Sequence, residues 1–269
     1  MVNLRPSRAL RGLLFITLGV GPFALHASDA VVRSPFAPGE ILTYDVTWSV
    51  FTAGQVTVTL KPGEGGSSES YETVTTARSQ GFVALLFDVE NEFHSVFDPK
   101  TLCSRGIHKE IHEGRRRKDT RIVFDAERQL AVLDEIDLNK PNSPPKHAEN
   151  DVPPCVSDMV TAFYQVRKQP LRVGEKIHVP INDGAKTYDV SVEVQTREEI
   201  QTPLGTRDAF RVEPKVFGGL YSRQGKMLIW FSDDAQRLPL RIKASVSVGT
   251  ITGTLRSITT AAAPDPTTH

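Results

Sequence analysis

The chain has 269 residues, with 32 Lys and Arg, 32 Asp and Glu, and two Cys. At 39% hydrophobic and 24% charged, it is too apolar and too balanced in charge to be mostly disordered. Two Cys allow one bridge at most, which excludes a disulfide-dense small protein, and the zero net charge disfavours nucleic acid as a partner.

The N-terminus has the pattern of a secretory signal peptide over residues 1–27. It begins with the basic residues Arg5, Arg8 and Arg11, which are followed by the apolar run Gly12–Leu25. The small-residue cleavage site is Leu25-His26-Ala27. The apolar run is short for a membrane span, which needs about 20 residues, and an uncleaved signal anchor is the alternative. Cleavage removes three Arg and no acid, which leaves 242 residues with a net charge of −3. We therefore expect a periplasmic protein of a Gram-negative bacterium, with no transmembrane segment after cleavage.

The rest of the chain divides into a flexible lead-in (28–35), a single β-rich domain (36–258) and a disordered tail (259–269). Short segments of the domain alternate between apolar and polar residues, which is the period of a half-buried strand. In the first of them, Tyr44 and Val46 share one face and Thr43 and Asp45 the other. The later segments are Gln55–Leu60, Tyr71–Ser79, Asn91–Phe97, Cys103–His112, Arg116–Phe124, Gln129–Ile136, Lys176–Ile181, Thr187–Thr196, Arg207–Pro214, Gly225–Ser232, Leu238–Val246 and Gly249–Ile258.

A polar break and one helix interrupt this series of strands. Asp137–Pro154 contains five Pro, which excludes a helix or a central strand. Ser157–Lys168 is predicted as a helix with Ser157 as its N-cap, and with an apolar stripe that includes Phe163 and Val166. We predict an all-β or β-rich fold: a strongly curved antiparallel sheet or barrel of about twelve strands, packed around one central helix.

Three segments resemble parts of a bacterial exported family, domain-of-unknown-function family 3108. Pro35–Trp48, followed by Ala53-Gly54, resembles the start of the family. Asp158–Arg167 and then Pro170–Glu175 resemble its central helix and following strand, and Leu228–Asp234 and then Arg237–Ile242 resemble its closing hairpin. The resemblance spans about Phe36–Ile258 and implies an exported domain with no assigned activity. By analogy it also implies a half-barrel of the lipoprotein-carrier type, from which function does not follow.

The two cysteines, Cys103 and Cys155, predict a disulfide, because an exported chain reaches an oxidising compartment. The bridge would join the start of a strand to the Pro-rich segment before the helix. A redox-active or metal-ligating pair is the alternative, but neither Cys lies in a C-x-x-C motif.

Catalytic and metal-binding patterns are missing from the sequence. His108 and His112 lie four residues apart on a predicted strand, about 13 Å from each other, so they cannot share a metal ion. The sequence has no G-x-S-x-G or H-E-x-x-H motif. We predict no metal, no cofactor and no catalytic residue.

Two other features suggest contacts with apolar or anionic molecules. The apolar run Gly81–Phe87 fits a short helix that plugs the sheet, or a hydrophobic lip at a cavity mouth. The hypothetical residues of an apolar-ligand site are Phe82, Leu86, Phe87, Phe163 and Trp230. A basic cluster fits a solvated hairpin, or a contact for anionic lipid or glycan. Its members are Arg115, Arg116, Arg117, Lys118 and Arg121.

Two functions of different kinds remain open. The first is an exported binding protein that holds an apolar or lipid-like ligand in the concave face of its sheet. The second is an envelope structural or interaction protein with a filled core and no small-molecule ligand. The oligomeric state is left open, and an open or a filled interior would separate the two functions.

Overall fold

The computed structural model describes residues 34–216, 226–246 and 249–260, which belong to one compact unit, Ser34–His269. The predicted signal peptide, and all but the first two residues of the predicted tail, lie outside the described residues. The strands are β1 Glu40–Trp48, β2 Phe51–Pro62, β3 Tyr71–Ser79, β4 Glu90–Phe97, β5 Ser104–Glu113, β6 Arg116–Asp125, β7 Leu130–Asp137, β8 Lys146–Asp151, β9 Lys176–Asn182, β10 Thr187–Thr202, β11 Gly205–Val216, β12 Met227–Ser232, β13 Pro239–Val246 and β14 Gly249–Thr260. The helices are α1 Gly81–Leu86 and α2 Thr161–Lys168, with one 3-10 turn at Glu64–Gly66. No described helix is both long and apolar enough to cross a bilayer.

All fourteen described strands form one antiparallel sheet in the order β8-β7-β6-β5-β4-β3-β2-β1-β14-β13-β12-β11-β10-β9. The all-β class and the antiparallel sheet are therefore confirmed. Every strand pairs with its neighbours in the chain except β8 and β9, which do not pair with each other, and the first and last strands, β1 and β14, pair to join the two halves of the sheet. The sheet is not closed, because β8 and β9 occupy its two edges.

The prediction of about twelve strands was too low, because the described sheet has fourteen. One of the additional strands is β8. This strand lies inside the Pro-rich break, where the composition argued against a central strand. The five Pro of the break flank β8 without entering it, and β8 pairs on one side only, with β7. An edge strand tolerates such surroundings, because its outer N–H groups need no partner in the sheet.

The helix α2 begins four residues later than predicted. Ser157 is not its N-cap, because the Ser157 backbone pairs with β9, its N–H donating to Pro180 and its carbonyl accepting from Asn182. The carboxylate of Asp158 instead accepts hydrogen bonds from the amides of Val160 and Thr161, at 2.7 and 3.0 Å. The helix thus starts only after the chain has left β9, and it then packs against β4 and β9.

Strong curvature brings the two sheet edges together without backbone pairing between them. The Asn182 side chain at the end of β9 donates to Asn150 of β8 at 2.7 Å. Gly184, in the next turn, has a φ of 97°, and a Cβ there would lie 2.3 Å from Leu133 of β7. Only glycine fits this close approach. The sheet therefore wraps around an interior to which both of its halves contribute.

Candidate ligand-binding cavity

The curved sheet and α2 enclose an apolar cavity of about 430 Å³ that opens to solvent. Its walls come from β5 and β6 on one side, from β9 to β12 on the other, and from α2. Apolar side chains make up most of the wall: Ile107, Ile122, Met159, Ala162, Phe163, Val166, Val179, Ile181, Tyr188, Val190, Val192, Pro214, Met227, Ile229 and Phe231. A pocket of this size and lining is typical of small-molecule sites.

Sequence alternation explains why these side chains face inward. Val190 and Val192 on β10 and Ile229 and Phe231 on β12 lie two apart, so each pair points to the same face of its strand. On α2, Ala162 and Val166 lie one turn apart and pack against that face. The wall is therefore the inner face of the sheet where α2 leaves part of it uncovered.

The polar groups on the wall already have partners, with one exception. The Asp158 carboxylate accepts hydrogen bonds from the hydroxyls of Ser95, Ser104 and Thr161, at 2.6, 2.8 and 2.9 Å. The Asn182 amide donates to Asn150 and Thr187. These groups fasten α2 and the sheet edges together, so they are structural rather than free for a ligand.

Lys109 is the exception and the one cation among the described wall residues. It is half-buried, and its ammonium has no hydrogen bond or ion pair within the described part of the chain. Burial lowers the pKa of Lys109, although Asp183 and Glu135 partly oppose the shift from a distance. An ammonium with three free donors beside an apolar cavity can bind an anionic group.

The structure brings only one of the predicted ligand residues to this cavity. Phe163 lies on the wall and packs against Phe231, with ring centroids 6.5 Å apart. Trp230 is buried in another part of the core, where its indole N–H donates to Glu198 at 2.6 Å and Arg241 stacks on its ring. Phe82, Leu86 and Phe87 are each more than half exposed on or beside α1.

The helix α1 neither plugs the sheet nor lies on the described cavity wall. All its large side chains except Val83 are exposed, and it packs against β2. The plug interpretation of Gly81–Phe87 is therefore wrong, because a plug requires buried side chains. Sequence reasoning missed the wall residues other than Phe163, because hydrophobic strand residues look alike whether they fill a core or border a cavity.

The predicted disulfide between Cys103 and Cys155 is confirmed, with the two Cα atoms 4.9 Å apart. It joins the residue before β5 to the segment that leads into α2. Beside it, the Ser104 amide donates to the carbonyl of Val156 at 2.8 Å. The bridge therefore holds the segment on which Asp158 fastens α2 over the cavity.

An internal ion pair, which sequence reasoning missed, links α2 to β1. Arg167 is fully buried, and its guanidinium donates to both oxygens of Glu40, at 2.6 and 2.8 Å. It also donates to the carbonyls of Pro35 and Gln236, and it stacks on the Phe36 ring. Burial alone would lower the pKa of Arg167, but the Glu40 carboxylate raises it above its ordinary value. Glu40 and Arg167 are 127 positions apart, so no local pattern could show that they meet.

A polar cluster on the outer face of the sheet was also not predicted from the sequence. His108, Glu110 and Asp119 place ligand-type atoms within 4.8 Å of one another across β5 and β6. His94 on β4 lies opposite His108 and contacts Glu72 and Glu92, both at 2.7 Å. Burial lowers the pKa of His94, but these two carboxylates outweigh it and raise the pKa overall. The sequence analysis compared His108 only with His112, four positions along the same strand. The residues that come close to His108 include Asp119, which lies on the neighbouring strand.

The basic cluster lies in and after the β5–β6 turn, with the side chains of Arg115, Arg116 and Arg117 exposed. Arg116 pairs with Glu113 at 3.1 Å and Lys118 with Glu135 at 2.5 Å, while Arg121 lies 4.0 Å from Asp119. The side chains of Arg115 and Arg117 have no ion pair with any described residue.

Comparison with solved structures supports a barrel-like fold. A beta-barrel-like protein of domain of unknown function DUF1849 from Brucella abortus aligns with a TM-score of 0.54 over 83% of this chain and 98% of that one. A Bacteroides fragilis protein with a YmcC-like fold, described as exported, aligns over 83% and 97% with a TM-score of 0.35, too low to carry an argument. Both are 9% identical to this chain, so the first likeness shows the fold alone. A search of curated proteins finds no match.

Fold and site define a barrel-like protein with an open antiparallel sheet and an apolar cavity inside it. The match to a family model is more specific, covering residues 43–256. The chain belongs to that family, "Protein of unknown function (DUF3108)", which confirms the resemblance seen in the sequence.

Proposed function

We propose that this protein is an exported, periplasmic binding protein that holds an apolar or lipid-like ligand in the cavity beside α2. The cavity itself carries the proposal: about 430 Å³ of largely apolar space favours a ligand site over a filled core. In this proposal α2 is the central helix of a half-barrel, as in lipoprotein carriers, and forms one wall of the site. The predicted signal peptide and the disulfide support export to an oxidising compartment.

The first test fills the cavity. Ala162→Phe places a ring on the α2 wall and is expected to reduce the affinity for a fluorescent fatty-acid probe at least tenfold, because the ring occupies the ligand's volume. Fluorescence titration measures the affinity. Ala126→Phe makes the same change in an exposed turn and should leave the affinity unchanged. Equal affinity in the two variants, with both folded by circular dichroism, would contradict the proposal.

Lys109 predicts that the ligand carries an anionic group. A charge-assisted hydrogen bond contributes about 1.5–3 kcal/mol, so we expect at least a tenfold preference for dodecanoate over dodecanol. Lys109→Met should abolish that preference while retaining affinity for the alcohol, since Met keeps the apolar stem. Lys243→Met, at an exposed lysine on β13, is the matched control. Competition against the fluorescent probe measures both affinities, and an unchanged preference in Lys109→Met would refute the role of the lysine.

The same substitution has a consequence for stability in the absence of ligand. Burial disfavours the charged form of Lys109, so its pKa is lower in the folded state than in the unfolded state. The resulting penalty is present at neutral pH and disappears as the pH rises through the lowered pKa towards the ordinary value near 10.4. Lys109→Met should therefore be more stable than the parent at neutral pH, with a difference that shrinks at alkaline pH in urea unfolding.

A further inference from the structure

Six exposed apolar side chains lie together at one end of the sheet. Each is more than half exposed, reaching 86% for Val50 and 84% for Leu85. The six, which we term the apolar tip, are Val50, Phe51, Phe82, Leu85, Leu86 and Phe87. Single exposed apolar residues are ordinary on a protein surface, but a contiguous group of large ones marks an interaction site.

Backbone contacts hold the parts of the apolar tip side by side. The helix α1 packs against β2, which begins at Phe51, and the Gln80 amide before α1 donates to the carbonyl of Ala53 at 2.8 Å. At the other end of α1, the Phe87 ring lies close to Gly114 in the β5–β6 turn, where a Cβ would meet it at 3.1 Å. The β1–β2 turn, α1 and the basic β5–β6 turn therefore form one continuous surface.

Unpaired positive charge borders the apolar tip. Arg115 and Arg117 lie one and three positions after Gly114, are exposed, and have no ion pair in the described part of the chain. The neighbouring acid Asp88 is exposed too, but it contacts the Ser79 hydroxyl and lies 3.9 Å from His112. Two free guanidinium groups beside exposed aromatic and aliphatic side chains complement a surface that is apolar within and anionic at its boundary.

The apolar tip and the cavity share one end of the sheet. In an antiparallel meander, alternate connections lie at the same end, so the β1–β2, β3–β4, β5–β6 and β9–β10 connections lie together. The wall residues Asp183 and Met227, in the β9–β10 turn and at the start of β12, belong to this end as well. A partner held by the apolar tip would therefore lie near the end of the cavity that these residues line.

We propose that the apolar tip docks on the surface of an anionic phospholipid bilayer, with Arg115 and Arg117 contacting lipid phosphates. Aromatic and leucine side chains enter the boundary between head groups and acyl chains, and basic residues beside them add electrostatic attraction. A bilayer fits better than a protein groove, because the apolar side chains come from the β1–β2 turn and α1 rather than from one surface, and because Arg115 and Arg117 have no ion pair among the described residues. This docking does not depend on the cavity being a ligand site.

The test is flotation with vesicles. The described core lies within residues 34–260, so a chain beginning at Ser28 retains it and lacks the apolar N-terminal run. We expect this chain to float with vesicles of phosphatidylcholine and phosphatidylglycerol, and much less with phosphatidylcholine alone. Leu85→Ser/Leu86→Ser should reduce binding at least tenfold. Arg115→Gln/Arg117→Gln should reduce it about twenty-five-fold at low salt, at about five-fold for each arginine near the surface.

Matched controls make the same chemical changes elsewhere. Val123→Ser/Val173→Ser removes two exposed apolar side chains. Arg128→Gln/Arg207→Gln removes two exposed charges at the opposite end of the sheet that have no ion pair with a described residue. Both controls should float like the parent chain. The docking proposal is overturned if the parent does not bind anionic vesicles, or if the apolar-tip variants bind as the controls do. Failure to bind vesicles would leave a protein as the partner of the apolar tip.

Discussion

Arg167→Met is expected to destabilise the protein by about 3–5 kcal/mol, because it leaves the Glu40 carboxylate buried without its partner. The guanidinium satisfies two carboxylate oxygens and two backbone carbonyls at once, so Met removes all of these donors. The same groups connect β1, α2 and the turn before β13, so the loss affects both halves of the sheet. Urea unfolding followed by tryptophan fluorescence measures the change.

A double substitution tests whether the unpaired buried charge causes the loss of stability. Glu40→Leu/Arg167→Met replaces both charges with apolar side chains, and should be markedly more stable than Arg167→Met alone, since no buried charge remains. Arg256→Gln, which breaks the exposed pair with Asp45, should change stability by at most about 1 kcal/mol. A loss below about 1 kcal/mol in Arg167→Met would show that the ion pair does not hold α2 in place.

Removal of the disulfide is expected to cost up to about 4 kcal/mol. The bridge closes a loop of 52 positions, and the chain-entropy relation assigns that magnitude to a loop of this length. Cys103→Ser/Cys155→Ser should therefore unfold at lower urea concentration than the parent chain. The effect should be strongest around β8 and the segment before α2, because few buried apolar side chains hold β8 in place.

Reductant provides the control for that experiment. It should shift the unfolding of the parent chain towards that of the double Ser variant, and leave the variant itself unchanged. Limited proteolysis under native conditions should cut the reduced chain first between β7 and α2. A reduced parent as stable as the oxidised one would show that the hydrogen bonds of Ser104 and Asp158 are sufficient without the bridge.

The β class and most strand positions could be predicted from local residue patterns, because alternation along a strand is a local property. The disulfide was equally accessible, since two cysteines in a chain with a signal-like N-terminus leave one pairing. The family followed from segments such as Asp158–Arg167, which the family model also covers. These conclusions depend on the order of residues along the chain and need no knowledge of which strands face each other.

The cavity and the Glu40–Arg167 pair depend on the tertiary structure alone, and so does the exposure of the apolar run Gly81–Phe87 beside Val50 and Phe51. Curvature of the sheet decides that Ile122 and Val190, on opposite halves, border one empty space, while Trp230 lies in filled core. It also places Lys109 on the cavity wall without a counter-ion in the described chain. Hydrophobicity determines that a side chain avoids water, but only packing decides whether it does so against protein or beside an open site.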